Sequence, residues 1–323
     1  MKAIVQDAYG AAEVLKCEEV ERPVPGPGEV LIRVRAAGMD RGVWHLMAGR
    51  PYLVRVMGFG LRRPRQRIAG MDVAGVVEAV AAGVTRFRAG DEVFGEIEGA
   101  YAEYACAPEG ELVRKPANLS FAQAAVLAVS GRTALQAVRD EGRVAAGQRV
   151  LVIGASGGVG SFAVQIAKAV GAEVTGVCST SKVELVRSLG ADHVIDYTRE
   201  ALDAGGKRYD VILDMGGNRP LRDLRRLLTK SGTLVIVGGE AGGRWFGGMG
   251  RSVGASLLSP FVAQTLRMQL PRGRIEDLCA LAELVEAGKV TPMLDRSFPL
   301  AEAADAMRYL LAGTARGKVA LTV

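Results

Sequence analysis

The stretch Gly154-Ala155-Ser156-Gly157-Gly158-Val159-Gly160 constrains this chain more than any other. It joins the apolar run Val150-Leu151-Val152-Ile153 to a helical pattern that starts at Ser161. Strand, glycine turn and helix, in that order, is the setting a dinucleotide pyrophosphate requires. Glycines permit the tight turn and let backbone approach phosphate, while the helix start offers unpaired N–H groups and the positive end of its dipole. The spacing is G-x-x-G-x-x-G rather than the commoner G-x-G-x-x-G, so the assignment rests on the setting. Ser156, Gly157, Gly158, Val159 and Gly160 are the residues expected to cradle phosphate.

The next strand-like run, Glu173–Cys178, ends in Ser179-Thr180-Ser181-Lys182. An NAD site normally places Asp or Glu near this strand end to hold the ribose 2′-hydroxyl. No acid lies between Glu173 and Glu184. Three hydroxyls and an ammonium stand there instead, all able to donate to a 2′-phosphate that a carboxylate would repel. The pattern predicts NADP(H), with Ser179 and Lys182 on the 2′-phosphate. Ser179 can also cap a helix over Lys182–Leu189. Tyr197, ending the third strand, is placed either to stack near adenine or to serve as a core residue at the sheet end.

From Arg149 onward strands and helices alternate. Strands are expected at 149–154, 172–178, 193–197, 210–214 and 233–237, with helices between them, including Leu221–Leu228. Such alternation predicts an α/β fold with right-handed crossovers and a doubly wound parallel sheet, its ligand lying across the carboxyl ends of the strands. Residues 1 to about 120 read instead as β-rich, with alternation in Val30–Arg35 and Gly75–Val80 and turns at Pro23–Gly28 and Gly90-Asp91. Ser120-Phe121-Ala122-Gln123 matches a capping box and starts a helix to about Val129. A break at Ser130-Gly131-Arg132 precedes a second helix, Thr133 to about Asp140. Gly238–Gly250 holds seven glycines and reads as a mobile lid or a loose loop. Residues 275–287 form an amphipathic helix stopped by Gly288. The tail from Pro292 resumes strand, helix and strand, and its last strand returns to the N-terminal part.

Charge and composition exclude several classes. The net charge of +6 comes from 41 basic and 35 acidic residues, much of the excess in Arg55 and Leu61-Arg62-Arg63-Pro64-Arg65-Gln66-Arg67. No aromatics interleave with these arginines, so the run reads as a solvated loop and no nucleic-acid partner is expected. No run of eighteen apolar residues is present, and no membrane partner is expected. Met1-Lys2-Ala3-Ile4-Val5 enters directly on a strand-like pattern, which predicts a cytoplasmic location. Cys17, Cys106, Cys178 and Cys279 are scattered and read as small core residues rather than as a disulfide or metal framework. His45 and His193, the only histidines, provide poorly for histidine catalysis or metal binding.

Several phrases together resemble the medium-chain dehydrogenase/reductase superfamily over essentially the whole chain. They are Pro25-Gly26-Pro27-Gly28-Glu29-Val30-Leu31-Ile32, Gly70-Met71-Asp72-Val73-Ala74-Gly75-Val76-Val77, Gly90-Asp91-Glu92-Val93-Phe94-Gly95, Leu189-Gly190-Ala191-Asp192-His193-Val194-Ile195-Asp196-Tyr197 and Ala315-Arg316-Gly317-Lys318-Val319. The resemblance implies a GroES-like, partly barrel-like catalytic domain (1–120 plus 290–323) around an NADP-binding Rossmann domain (121–289), with the active site in the cleft. Zinc alcohol dehydrogenases of the superfamily carry Cys-His after Gly-Val, and later Gly-His-Glu. Here the matching stretches are Gly38-Met39-Asp40-Arg41 and Gly70-Met71-Asp72, so Asp40 stands at the cysteine position and Met71 at the histidine position. A thioether is a poor zinc ligand, and the structural-zinc cysteines are missing. The chain therefore resembles the zinc-independent, zeta-crystallin-like quinone oxidoreductase branch, and no metal is expected.

That branch usually has Asn where Asp40 stands. Asp40 could donate a hydrogen bond only if burial raised its pKa well above about 4; otherwise it is a structural carboxylate. The resemblance further implies Tyr52 as hydrogen-bond donor to the substrate oxygen, or as an aromatic packing in the cleft. It places Thr133 near the nicotinamide, or simply at a helix start, and Gly317 and Lys318 in a tail segment that touches the cofactor. It also implies a homodimer formed by sheet-edge pairing near Ser252–Phe261. The expected reaction is hydride transfer from NADPH to a quinone or other α,β-unsaturated carbonyl, with the cofactor carrying the chemistry. The alternatives are reduction of an enone or enoyl thioester, with Arg62–Arg67 meeting an acidic carrier such as coenzyme A, and an NADPH-binding sensor with little turnover.

Overall fold

The chain divides into two compact units in the computed structural model, which describes residues 1–239, 243, 245, 247–270 and 272–323. The first unit holds residues 1–130, 274–287 and 292–323; the second holds 131–273 and 288–291. The expected boundaries shift accordingly. The first unit runs ten residues past 120, and it also takes the helix Ile275–Glu286, because Asn118 Nδ2 donates to the carbonyl of Val285 at 2.9 Å. An amphipathic pattern reports that a helix has an apolar face, not which core receives it.

The first unit is built on strands β1 (Lys2–Val5), β2 (Lys16–Glu19), β3 (Glu29–Met39), β4 (Asp72–Val80), β5 (Glu92–Glu96), β6 (Tyr104–Pro108) and β7 (Leu112–Arg114). β3 is its spine. Arg33 and Arg35 point outward between buried Ile32, Val34 and Ala36, the period of a half-covered strand, whereas Ala36–Met39 are buried throughout. A Cβ on Gly38 would lie 2.2 Å from the carbonyl oxygen of Ala125, so only glycine lets the helical segment after Phe121 approach the strand. The Ser120–Gln123 capping box is present as expected.

Strands β8 (Arg149–Ile153), β9 (Glu173–Cys178), β10 (His193–Asp196), β11 (Tyr209–Asp214), β12 (Leu228–Ile236) and β13 (Thr265–Met268) form the second unit's sheet. Every pairing is parallel, in the order β10-β9-β8-β11-β12-β13. The order reverses between β8 and β11, the switch point where doubly wound folds bind ligands. Five of the six strands fall where alternation places them. β13 carried no signal: of its four residues only Leu266 is buried, so its pattern is that of a short edge strand. The tail adds β14 (Leu294–Pro299), the helix Ala303–Leu311 and β15 (Lys318–Thr322) to the first unit. β15 pairs parallel to β14 and antiparallel to β3, which is the expected return.

Three local readings change. Ser130-Gly131-Arg132 does not break a helix, because Ala128–Gln136 is continuous and Ser130 and Gly131 are buried within it. Ser252–Phe261 is not a strand: it is the end of a helix, Met249–Leu258, followed by a tight turn, so the sheet's outer strand is β13. Part of the Gly238–Gly250 lid reading lies outside the described residues. Within the described part Gly248 N–H donates to Gly239 O at 2.7 Å, and a helix starts at Met249.

The cysteines also separate. Cys178 is buried and Cys106 half-buried, and burial pushes both thiols up to about 11. Cys17, expected in the core, is exposed on β2, where three of the four residues are exposed. At pKa 11 only about one thiol in ten thousand is ionised at neutral pH. Alkylation of the native protein at pH 7.5, followed by peptide mapping, is therefore predicted to label Cys17 and to spare Cys178 and Cys106 until denaturant is added. Labelling of Cys178 at the rate of Cys17 would contradict this.

Candidate functional site

In the second unit the glycine turn has the form its sequence requires. Gly154 takes a φ of +81°, Gly157 precedes the thirteen-residue helix Gly158–Val170, and no side chain caps that helix. A Cβ on Gly160 would lie 2.1 Å from the carbonyl oxygen of Gly154, so the helix start rests directly on the turn. The result is a shallow cradle of backbone N–H groups at the carboxyl end of β8. These donors fit a pyrophosphate.

Ser179, Lys182 and Tyr197 come together at one end of β9 and β10, since Tyr197 N–H donates to the Cys178 carbonyl at 3.1 Å. Tyr197 is 52% exposed, so it is not a core residue. Ser179 precedes the turn Thr180–Lys182 but makes no side-chain cap, and the helix runs Val183–Ser188.

One residue at this end was not anticipated. Parallel register places Asp196 opposite Cys178, and its carboxylate accepts from Thr180 Oγ1 (2.5 Å), Thr198 Oγ1 (2.7 Å) and Thr198 N–H (3.0 Å). The Thr180 hydrogen bond is the main reason its carboxyl sits below the usual range. Thr180 is thus committed as a donor, which removes one of the three hydroxyls expected to meet a phosphate. Only the strand register, absent from a linear pattern, reveals the acid.

Across the switch point, Asp214 ends β11 fully buried. It accepts from Gly217 N–H at 3.1 Å and pairs with Arg251, which donates its other nitrogen to the carbonyl of Arg219 at 2.6 Å. This pair ties the helix Met249–Leu258 to the glycine turn after β11. Sequence reasoning missed it because its partners lie 37 residues apart. Thr133 lies inside the helix Ala128–Gln136, not at its start.

The first unit gathers a second set of functional residues. Asp40 Oδ1 accepts from Val43 N–H at 3.1 Å and caps the helix Arg41–Ala48. Its other oxygen lies 3.7 Å from Lys318 Nζ, and so does Asp72 Oδ2. Lys318 is 1% exposed and donates to Ser130 Oγ at 2.9 Å. Asp40 and Lys318, expected in unrelated roles, are therefore partners, joined by Asp72 and Ser130. Gly317 has a φ of +111°, and a Cβ there would lie 2.3 Å from Met293 O, so the strand entry to Lys318 admits glycine alone. Tyr101 donates to Gly38 O at 3.0 Å; burial, and then the charges of Asp40 and Asp72, hold its hydroxyl well above the usual range, so it remains a donor. Tyr52 opens the short helix Tyr52–Val54, with the Arg55 guanidinium 4.8 Å from its ring centroid.

These residues do not fit zinc. Asp40 is occupied as a cap and an ion-pair partner, Met71 offers only a thioether, and the cation between the two carboxylates is Lys318 itself. Among the described residues no three His, Cys, Asp or Glu side chains are placed to hold a metal ion.

A doubly wound unit with an anion cradle at its switch point, joined to a β-rich unit, defines a nicotinamide-dependent oxidoreductase. Residues 26–117 match the family described as alcohol dehydrogenase GroES-like domain, and 189–321 match that described as zinc-binding dehydrogenase. The chloroplast envelope quinone oxidoreductase homolog of Arabidopsis thaliana is 33% identical over 99% of this chain and 97% of its own. The NADPH-dependent alkenal/one oxidoreductase of the same plant is 34% identical over 99% and 78%. The solved quinone oxidoreductase of Coxiella burnetii superposes with a TM-score of 0.85 at 29% identity, covering 100% of this chain and 99% of that one. The chain belongs to the medium-chain dehydrogenase/reductase superfamily, in its zinc-independent quinone oxidoreductase branch.

The ion cluster generates a stability prediction. Lys318→Met leaves two buried carboxylates facing each other without their cation, and should cost about 3–5 kcal/mol. Adding Asp40→Asn should restore part of that loss. Denaturant unfolding of the two variants checks it, and a Lys318→Met protein as stable as the parent would contradict the cluster's role.

Proposed function

We propose that the protein reduces quinones and other α,β-unsaturated carbonyl compounds, using NADPH and no metal. The observation that carries the cofactor assignment is the end of β9. Ser179, Ser181 and Lys182 stand there, while Asp196, the acid that strand register brings to this end, accepts hydrogen bonds from Thr180 and Thr198. The relatives whose names include quinone and NADPH-dependent alkenal/one oxidoreductase support the same reading.

NADPH held at the Gly154–Gly160 cradle supplies a hydride from its dihydronicotinamide ring. Ser156, Gly157, Gly158, Val159 and Gly160 hold the pyrophosphate, Ser179 and Lys182 hold the 2′-phosphate, and the exposed ring of Tyr197 offers a face to adenine. Thr133 and the Gly317–Lys318 backbone serve the nicotinamide end. Tyr52 donates to the substrate carbonyl oxygen as negative charge gathers there, which is where a preorganised donor has most effect. Asp40 is a structural carboxylate in this scheme. An electron-poor acceptor needs no Lewis acid, which accords with a site whose fixed cation is a lysine. A homodimer formed by strand pairing would use β13 rather than Ser252–Phe261.

Two measurements test this. Ser179→Ala with Lys182→Ala removes two donors to a dianionic phosphate, and should raise the Kd for NADPH roughly 10- to 100-fold while changing that for NADH about twofold or less. Equal loss for both coenzymes would overturn the 2′-phosphate assignment. An acceptor panel at equal concentration should show NADPH oxidation by quinones and short enones exceeding that by an enoyl-CoA. Faster turnover of the thioester would favour the enoyl-thioester alternative, and tight NADPH binding without consumption would mark a sensor.

A further inference from the structure

The basic run after Tyr52 reads in sequence as a solvated loop, but the structure joins it to exposed apolar side chains. Between Asp40 and Asp72 the chain contains seven arginines and no acid, so outside this segment 34 basic residues meet 35 acidic ones. The protein's entire positive excess is local. Within it Val56 (69% exposed), Met57 (63%), Phe59 (44%) and Leu61 (69%) are open to solvent, directly beside exposed Arg62, Arg63 and Arg65. Those three arginines make no ion pair among the described residues.

The shape of this loop is held from below. Tyr9 donates its hydroxyl to the carbonyls of Phe59 (2.9 Å) and Gly60 (2.5 Å), and Arg65 N–H donates to Phe59 O at 2.8 Å. Gly60 has a φ of +108°, and a Cβ there would lie 2.1 Å from Arg63 O. Arg55 donates to Gly49 O at 2.9 Å and lies over the rings of Tyr9 and Tyr52. Arg67 pairs with Asp7 and Glu18 at 2.8 Å. The inner arginines anchor the loop, and the outer ones are presented with its apolar tip.

We propose that residues 55–67 dock the protein onto an anionic lipid bilayer. Large apolar side chains flanked by uncompensated cations are the chemistry of an interfacial anchor, in which the tip enters the acyl boundary and the arginines meet headgroup phosphates. A second copy of the chain fits less well, since a two-fold contact would set one arginine cluster against its twin. No helix among the described residues is long and apolar enough to cross a membrane, so the contact is one of surface docking. The inference stands apart from the acceptor assignment and would hold for any substrate.

Flotation of the full-length protein with phosphatidylcholine vesicles, with and without added phosphatidylglycerol, tests it. The protein should float with the anionic vesicles only, and less as salt rises. Each arginine near such a surface is worth roughly fivefold in partition, so Arg62→Gln/Arg63→Gln/Arg65→Gln should lower binding about a hundredfold. Met57→Ser/Leu61→Ser should also release the protein, and both variants should keep the parental Tm. The proposal fails if the parent binds neither vesicle, if it binds both equally, or if the variants bind as the parent does. It fails too if coenzyme A or inorganic phosphate displaces the parent completely at constant ionic strength, or if the parent is a dimer that Met57→Ser/Leu61→Ser dissociates.

Discussion

A lysine with 1% of its surface exposed is tolerable only if its charge is answered, and the answer given to Lys318 organises the first unit. An unpaired buried ammonium costs several kcal/mol. Here Ser130 accepts from it and Asp40 and Asp72 flank it. The four residues come from the start of β15, the helix Ala128–Gln136, the cap of Arg41–Ala48 and the start of β4. Lys318 opens β15, whose ladder with β3 returns the tail to the first unit. The same lysine places a cation beside Asp40, which stands where the resemblance puts a zinc-binding cysteine in the zinc alcohol dehydrogenases.

Much of the fold was legible because its signals are local. Strand–glycine–helix at Gly154 and the alternation after Arg149 required no long-range information, and the capping box at Ser120 is contained within four residues. Failures cluster where tertiary contact decides. Ser130-Gly131-Arg132 looks like a helix break, yet a glycine that packs tightly is tolerated inside a helix when burial outweighs its propensity. The helix Ile275–Glu286 is legible as a helix, but its contact with Asn118, which spans 167 positions, is not. β13 is a short edge strand with one buried residue, below what periodicity can register.

The site divides the same way. The glycine turn is legible from its strand–turn–helix setting, and the Ser179–Lys182 end from the absence of a carboxylate nearby in sequence. Asp196 enters only through parallel register, where its carboxylate engages Thr180. Asp40 and Lys318 were both identified from the family resemblance, but nothing in a linear pattern makes them partners across 278 positions of chain. The arginine run was visible in composition, and only the structure shows the apolar tip beside it.

These features describe an oxidoreductase of the zinc-independent branch, suited to acceptors already electron-poor enough to take a hydride unaided. The most direct measurement is the zinc content of the purified protein by mass spectrometry, paired with NADPH-dependent quinone turnover before and after exhaustive chelation. The account predicts far less than stoichiometric zinc and unchanged turnover. Stoichiometric zinc, with turnover lost on chelation and restored by adding the metal, would contradict it.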